Sequence, residues 1–179
     1  MTWLVLLLTS IFPHVDSKMT APNQHGILFE LFNVEKKIGL RLALVGYQFP
    51  ASQYDDWLVV SLDVTQGASR YSRTDPSLEA QELLQILAWF KALQARELPG
   101  YASLSFTEPN LTFHFLAATG ESVRISIELN LELKPDFNMR QLGADDSTWN
   151  IVFELRPEDF ANICGALETA IRTFPVRSL

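Results

Sequence analysis

Gly67-Ala68-Ser69-Arg70-Tyr71 begins as a nucleophile elbow does, with a serine two residues after a glycine. Tyr71, however, stands where a second glycine must let the chain turn sharply from strand into helix. Asp136-Phe137-Asn138 opens like a calcium loop, but Gln141 and Ser147 fill the positions that need a turning glycine and a bidentate carboxylate. Asp55-Asp56 and Asp145-Asp146 set carboxylates side by side on loops, whereas acid–base chemistry needs them opposed across a substrate. His14, His25 and His114 have no ligand spacing, and His114 alternates with Thr112 on the polar side of a strand, as a surface histidine does. Cys164 is the only cysteine, which excludes an internal disulfide and a thiolate metal cluster; its place in an apolar helical stripe marks it as a small core residue. No glycine-rich phosphate cradle occurs. The residues therefore predict a non-catalytic chain without cofactor or metal.

The elements that must position these residues follow from the hydrophobic pattern. From Ser122 to Lys134, Val123, Ile125, Ile127, Leu129, Leu131 and Leu133 occupy every second position, with Arg124, Ser126, Glu128, Asn130 and Glu132 between them. A period of two predicts an antiparallel sheet with one face on a core and one open to water, and the wet face is a platform for a partner. Thirteen straight residues would run about 43 Å, so a bend or bulge is expected within them. Further strands are predicted over Ile27–Val34, Ile38–Phe49, Trp57–Gln66, a short stretch through Ser72, Ala102–Phe106, Leu111–Phe115 and Trp149–Leu155. Asp75 as cap and Pro76 as first residue predict a helix from Pro76 to Ala95, with Leu83, Leu84, Leu87, Phe90 and Leu93 inward and Glu79, Glu82, Lys91 and Arg96 outward. A second helix begins near Pro157, carries Phe160, Ile163, Leu167, Ile171 and Phe174 inward, and stops at Phe174-Pro175. Strands and helices do not alternate, so the expected class is α+β: a single antiparallel, curved, multi-stranded sheet with two helices packed on its apolar face.

With 179 residues, 47% of them apolar and 20% charged, the chain suits one buried core, read as a single domain over residues 24–176. Residues 1–23 read as a poorly ordered N-terminal extension, either a start assigned too early or a short leader. Trp3–Leu8 is apolar, and Val15 and Ser17 stand where a signal peptidase would read small residues, but no Lys or Arg precedes the run and Met19 offers another start. A cytoplasmic location is expected, or a secreted one if residues 1–17 are a true signal peptide. In the secreted case Asn110-Leu111-Thr112 becomes a glycosylation acceptor. The apolar run is too short to span a bilayer. A net charge of −7 disfavours nucleic acid and favours a basic partner.

Gly46-Tyr47-Gln48-Phe49-Pro50, Asp55-Asp56-Trp57-Leu58, Thr74-Asp75-Pro76, Phe106-Thr107-Glu108-Pro109-Asn110-Leu111, and Phe153-Glu154-Leu155 before Pro157-Glu158-Asp159-Phe160 resemble, in order and spacing, the WapI family of bacterial immunity proteins. The likeness runs from about Ile27 to Arg172; the stretch before Asn23 lies outside it, and Arg156 stands where Ser or Thr would cap the last helix. The resemblance implies a small cytoplasmic protein that binds the toxic C-terminal domain, often an RNA-cleaving one, of a secreted wall-associated competition protein and blocks it without catalysis. An acidic inhibitor covers a basic cleft with exposed acids and aromatics, and Asp55, Asp56, Glu108, Glu128, Glu132, Asp136, Asp145 and Asp146 are the candidate partner-binding residues. The expected partner is a basic protein domain, with no membrane and no direct nucleic acid, met by a monomer or weak homodimer. The alternatives are a small-ligand or enzymatic module with a pocket between sheet and helices, and a structural protein that dimerises through its sheet edges.

Overall fold

Leu40, Leu42 and Leu44 alternate with Arg41, Ala43 and Val45, and this period of two buries the leucines while leaving Val45 open. The same alternation recurs through the chain in a computed structural model that describes residues 26–33, 35, 37–120, 122–137 and 149–177. Strands β1 (Ile27–Asn33), β2 (Ile38–Tyr47), β3 (Trp57–Gln66) and β4 (Ser69–Glu79) form one antiparallel meander. Helix α1 (Glu82–Gln94) follows, and β5 (Ser103–Ser105), β6 (Leu111–Thr119), β7 (Ser122–Leu129) and β8 (Trp149–Leu155) form a second meander before helix α2 (Pro157–Thr173).

The class is α+β as expected, but the single curved sheet is two four-stranded sheets. Each is built only from neighbours in sequence, and α1 separates them. Their edges meet at β1 and β8 by packing, and Asn33 Nδ2 donates to the Val152 carbonyl across the seam, while no ladder joins them among the described residues. The helices pack on each other, α2 also on β1 and β8, and α1 on β4. Apolar side chains of both sheets and both helices form one continuous core.

Several local expectations are corrected. Asp75 does not cap a helix and Pro76 does not start one: β4 continues to Glu79, pairing Asp75 with Val60, Pro76 with Val59 and Leu78 with Leu58. β4 is an edge strand with a register slip at Leu58/Val59, a place where a residue without an amide hydrogen is tolerated. Helix α1 therefore starts at Glu82, and Glu82, expected outward, is only 3% exposed. Its Oε2 accepts from the Glu79 amide and its Oε1 from the Thr107 amide, each at 2.7 Å, so two backbone donors compensate a carboxylate removed from water. Leu84 is exposed and Ile86 and Trp89 are buried in the face that α1 turns inward. The long strand ends at Leu129; a 3₁₀ turn at Leu131–Leu133 supplies the bend, exposing Leu131 and burying Leu133. Asn110, a candidate sugar acceptor, is 1% exposed and donates through Nδ2 to Ser77 Oγ, so the folded chain does not present it.

Phe113 of β6 is where these elements converge. Its ring lies 5.8 Å from Phe29 of β1, 5.7 Å from Phe90 and 6.0 Å from Trp89 of α1, and 5.8 Å from Phe106 ahead of β6. Phe90 in turn reaches Phe160 of α2 at 6.4 Å. Edge-on rings of this kind add to the stabilisation that their burial provides. Replacing Phe113 by alanine should cost about 3–5 kcal/mol, read as a lower denaturant midpoint with an unchanged slope in urea unfolding; a loss below about 1 kcal/mol would show that the cluster is not the common anchor.

Candidate partner-binding surface

The loop from β2 to β3 holds its own shape through short-range hydrogen bonds. Ser52 N donates to the Phe49 carbonyl at 3.1 Å, and Ser52 Oγ accepts from the amides of Tyr54 at 3.2 Å and Asp55 at 3.0 Å. Asp55 Oδ1 then accepts from the Trp57 amide at 3.1 Å, and Gln48 N donates to the Trp57 carbonyl at 2.8 Å as the strands close. Serine and aspartate are suited to such turns because their side-chain oxygens replace the acceptors that the turning backbone loses. The turn holds Phe49 and Tyr54 at 50% and 71% exposure.

The segment after α2 lies against this loop. Asp56 Oδ1 accepts from the Arg177 amide at 2.8 Å, and Tyr47 donates through its hydroxyl to the Pro175 carbonyl. Phe174 meets the Tyr47 ring edge-on at 5.6 Å. Burial raises the Tyr47 hydroxyl above its ordinary value, a rise that Arg177 opposes and Asp56 supports. Val176, 48% exposed, stands beside Tyr54, Asp55, Asp56 and Glu79 around a surface hollow. The edge thus joins three exposed apolar side chains, Phe49, Tyr54 and Val176, to a group of carboxylates.

Glu128, Glu132 and Asp136 belong to other groups of contacts. Glu128 sits on the open face of the second sheet in a row that crosses three strands: Ser103 Oγ is 2.8 Å from His114 Nδ1, His114 Nε2 is 3.0 Å from Glu128 Oε2, and Asn130 Nδ2 donates to Glu128 Oε1 at 3.1 Å. His114 is therefore a partner in a network rather than an ordinary surface residue, and Ser126, its cross-strand neighbour, is buried on the face expected to be wet. The row has the hydroxyl–imidazole–carboxylate connectivity of nucleophilic catalysis. Here it lies across an open ladder, and its evident effect is electrostatic. Burial pushes the Glu128 carboxyl up, but hydrogen bonds from Asn130 and His114 and the charge of His114 outweigh it and hold the group below its ordinary value.

Glu132 and Asp136 converge with Asp75 around Tyr71, whose hydroxyl donates to the Glu132 carbonyl at 2.7 Å. Burial raises the Tyr71 hydroxyl; Arg73 opposes this, and Asp136, Asp75 and Glu132 add to it. Glu108 lies half-buried between β5 and β6. Asp145 and Asp146 lie outside the described residues, as do residues 1–23. Cys164 is buried, and that burial lifts its thiol above the ordinary value, which makes it inert. Among the described residues no group of three or more His, Cys, Asp or Glu is placed to hold a metal ion, and no helix is long and apolar enough to cross a membrane.

The family model described as "Immunity protein WapI-like family" matches residues 31–175. The chain belongs to the WapI-like immunity protein family. The match takes in the end of β1, strands β2 to β8, both helices and the β2–β3 loop. No curated protein and no solved structure matches the chain. What this WapI-like chain adds to the sequence-level expectation is Arg177 and the exposed trio Phe49, Tyr54 and Val176. Arg177 left no local signal, because the groups that hold it lie more than 120 residues away in sequence. Tyr54 was legible only as a loop residue, and Phe49 as the end of a strand and a member of the Gly46–Pro50 motif.

A depressed carboxylate stabilises the fold above its unfolded value, and the contribution is lost as pH falls through the lower folded value. Glu128→Gln should therefore lower stability at neutral pH and flatten the acid limb of stability against pH below about pH 4.3, where the wild-type contribution is itself lost. Urea midpoints measured at a series of pH values check this, and an acid limb of unchanged slope would show that the His114–Glu128–Asn130 row does not hold the charge.

Proposed function

We propose that this chain is a non-catalytic, cytoplasmic inhibitor that neutralises the toxic C-terminal domain of a secreted competition protein by covering it. Membership of the WapI-like immunity family carries the reading. The physical properties of the chain support it: an excess of seven negative charges draws a basic domain and raises the encounter rate, while exposed aromatics supply contact area after the encounter. Phe49, Tyr54 and Val176 beside Asp55 and Asp56 form the edge that combines both, so we assign the central contact there. Glu108, Glu128, Glu132, Asp136, Asp145 and Asp146 contribute to the field that steers the partner. The partner is a basic protein domain, bound by a monomer or weak homodimer of this chain.

Co-expression with the C-terminal domain of the large secreted protein encoded just upstream should restore growth, and the two should co-purify. Absence of both rescue and complex would remove the reading. Within such a complex, Tyr54→Ala should weaken binding by at least about 30-fold, as expected for an aromatic anchor worth about 2 kcal/mol, with the unfolding midpoint of the free chain unchanged because Tyr54 is 71% exposed. Unaltered affinity would place the contact elsewhere.

A further inference from the structure

Arg177 is held as a ligand would be. Its Nη1 donates to the carbonyls of Phe49 at 2.8 Å and Asp55 at 2.9 Å, and its Nη2 to the carbonyl of Pro50 at 3.3 Å. The guanidinium carbon lies 3.4 Å over the centre of the Tyr47 ring. Converging carbonyls around the rim of a planar fork, with an aromatic face beneath it, suit a guanidinium and not the compact, strongly hydrated ammonium of lysine. Everything that reads the fork belongs to residues 47–55. That loop is shaped by Ser52, Asp55 and the Gln48–Trp57 backbone pairing, none of which involves Arg177.

We propose that this cage is an arginine-recognition site, occupied in cis by Arg177, and that an arginine presented by a basic protein partner takes the same seat in trans. The exchange is isosteric, so the loop need not rearrange. The resident side chain is tethered at an effective concentration of millimolar order, so a lone arginine competes poorly. A competitor must bring further contacts, and the exposed Phe49, Tyr54 and Val176 surround the seat with apolar surface for them. Asp56, which accepts from the Arg177 amide, is released for a second basic group when that segment leaves. The ligand class follows from the cage alone; that the arginine belongs to a toxin domain rests on the proposed function.

The test is an NMR titration of the full chain carrying Arg177→Ala with N-acetyl-arginine amide, following the amides of Tyr47, Phe49, Asp55 and Asp56. Saturable shifts are expected at millimolar ligand, with N-acetyl-lysine amide roughly tenfold weaker. The unsubstituted chain, its seat filled, should respond roughly tenfold more weakly than the variant, and adding Tyr47→Leu to Arg177→Ala should remove the response. A folded Arg177→Ala chain without preference for arginine over lysine overturns the proposal. If that variant does not fold, Arg177→Gln is titrated in the same way and decides by the same criterion. A positive titration with failed co-expression rescue removes the toxin and leaves the arginine site; rescue with a negative titration removes the site and leaves the toxin.

Discussion

The contact on which the architecture depends is the meeting of Phe113 with Phe29, Trp89, Phe90 and Phe106. The rings come from β1, α1, the segment ahead of β6 and β6 itself, and the first sheet, the second sheet and α1 acquire a common centre through them, extended to α2 by Phe90 and Phe160. The two sheets share no ladder among the described residues, so side-chain packing fixes their relation. Strands of the first sheet send Leu40, Leu42, Leu58 and Leu62 into the core, and strands of the second send Ile125, Ile127, Ile151 and Phe153. What lies on the opposite faces is thereby set free for charge and recognition.

Much of this was legible in the residues. The period-two runs identified most of the strands, because a half-buried strand writes its orientation into alternate positions, and the three- and four-residue spacing from Phe160 onward did the same for α2. The split into two sheets was not legible: edge-to-edge packing of β1 on β8 leaves no mark in the pattern of either strand. Thr74-Asp75-Pro76 misled for a specific reason. Cap and proline are the local signals of a helix start, but at the edge of a sheet the ladder to Val60 and Val59 overrides them, and the helix begins where Glu82 can accept the Glu79 and Thr107 amides. Arg156 shows the reverse case: an unusual residue before α2 is accommodated because the Asp159 carboxylate accepts its amide at 2.8 Å.

The surface was legible as charge and not as contact. Asp55 and Asp56 were recognisable as adjacent acids on a loop, yet their roles in the fold are architectural: one shapes the turn, the other receives the segment after α2. Glu128 likewise belongs to a network with His114 and Asn130. The Glu128 carboxylate still contributes its field at a distance, because hydrogen bonding holds it ionised. On the proposed reading, steering and anchoring fall to different side chains, the first to dispersed carboxylates and the second to the edge where aromatics are exposed.

The construction of each sheet from consecutive hairpins has a consequence for how the chain reaches this state. Every ladder pairs strands that follow one another, so hairpins can zip locally before any distant segment is found. The steps of large sequence separation include β1 meeting β8 and α2, α1 meeting α2, β4 meeting the 3₁₀ turn, and the residues around Asp55 and Asp56 receiving Arg177 more than 120 positions later. Closure of those long loops is the entropic barrier that remains after the meanders have formed. Its transition state should therefore be two largely assembled half-structures in the act of docking, with the aromatic rings between them as the surface on which they meet.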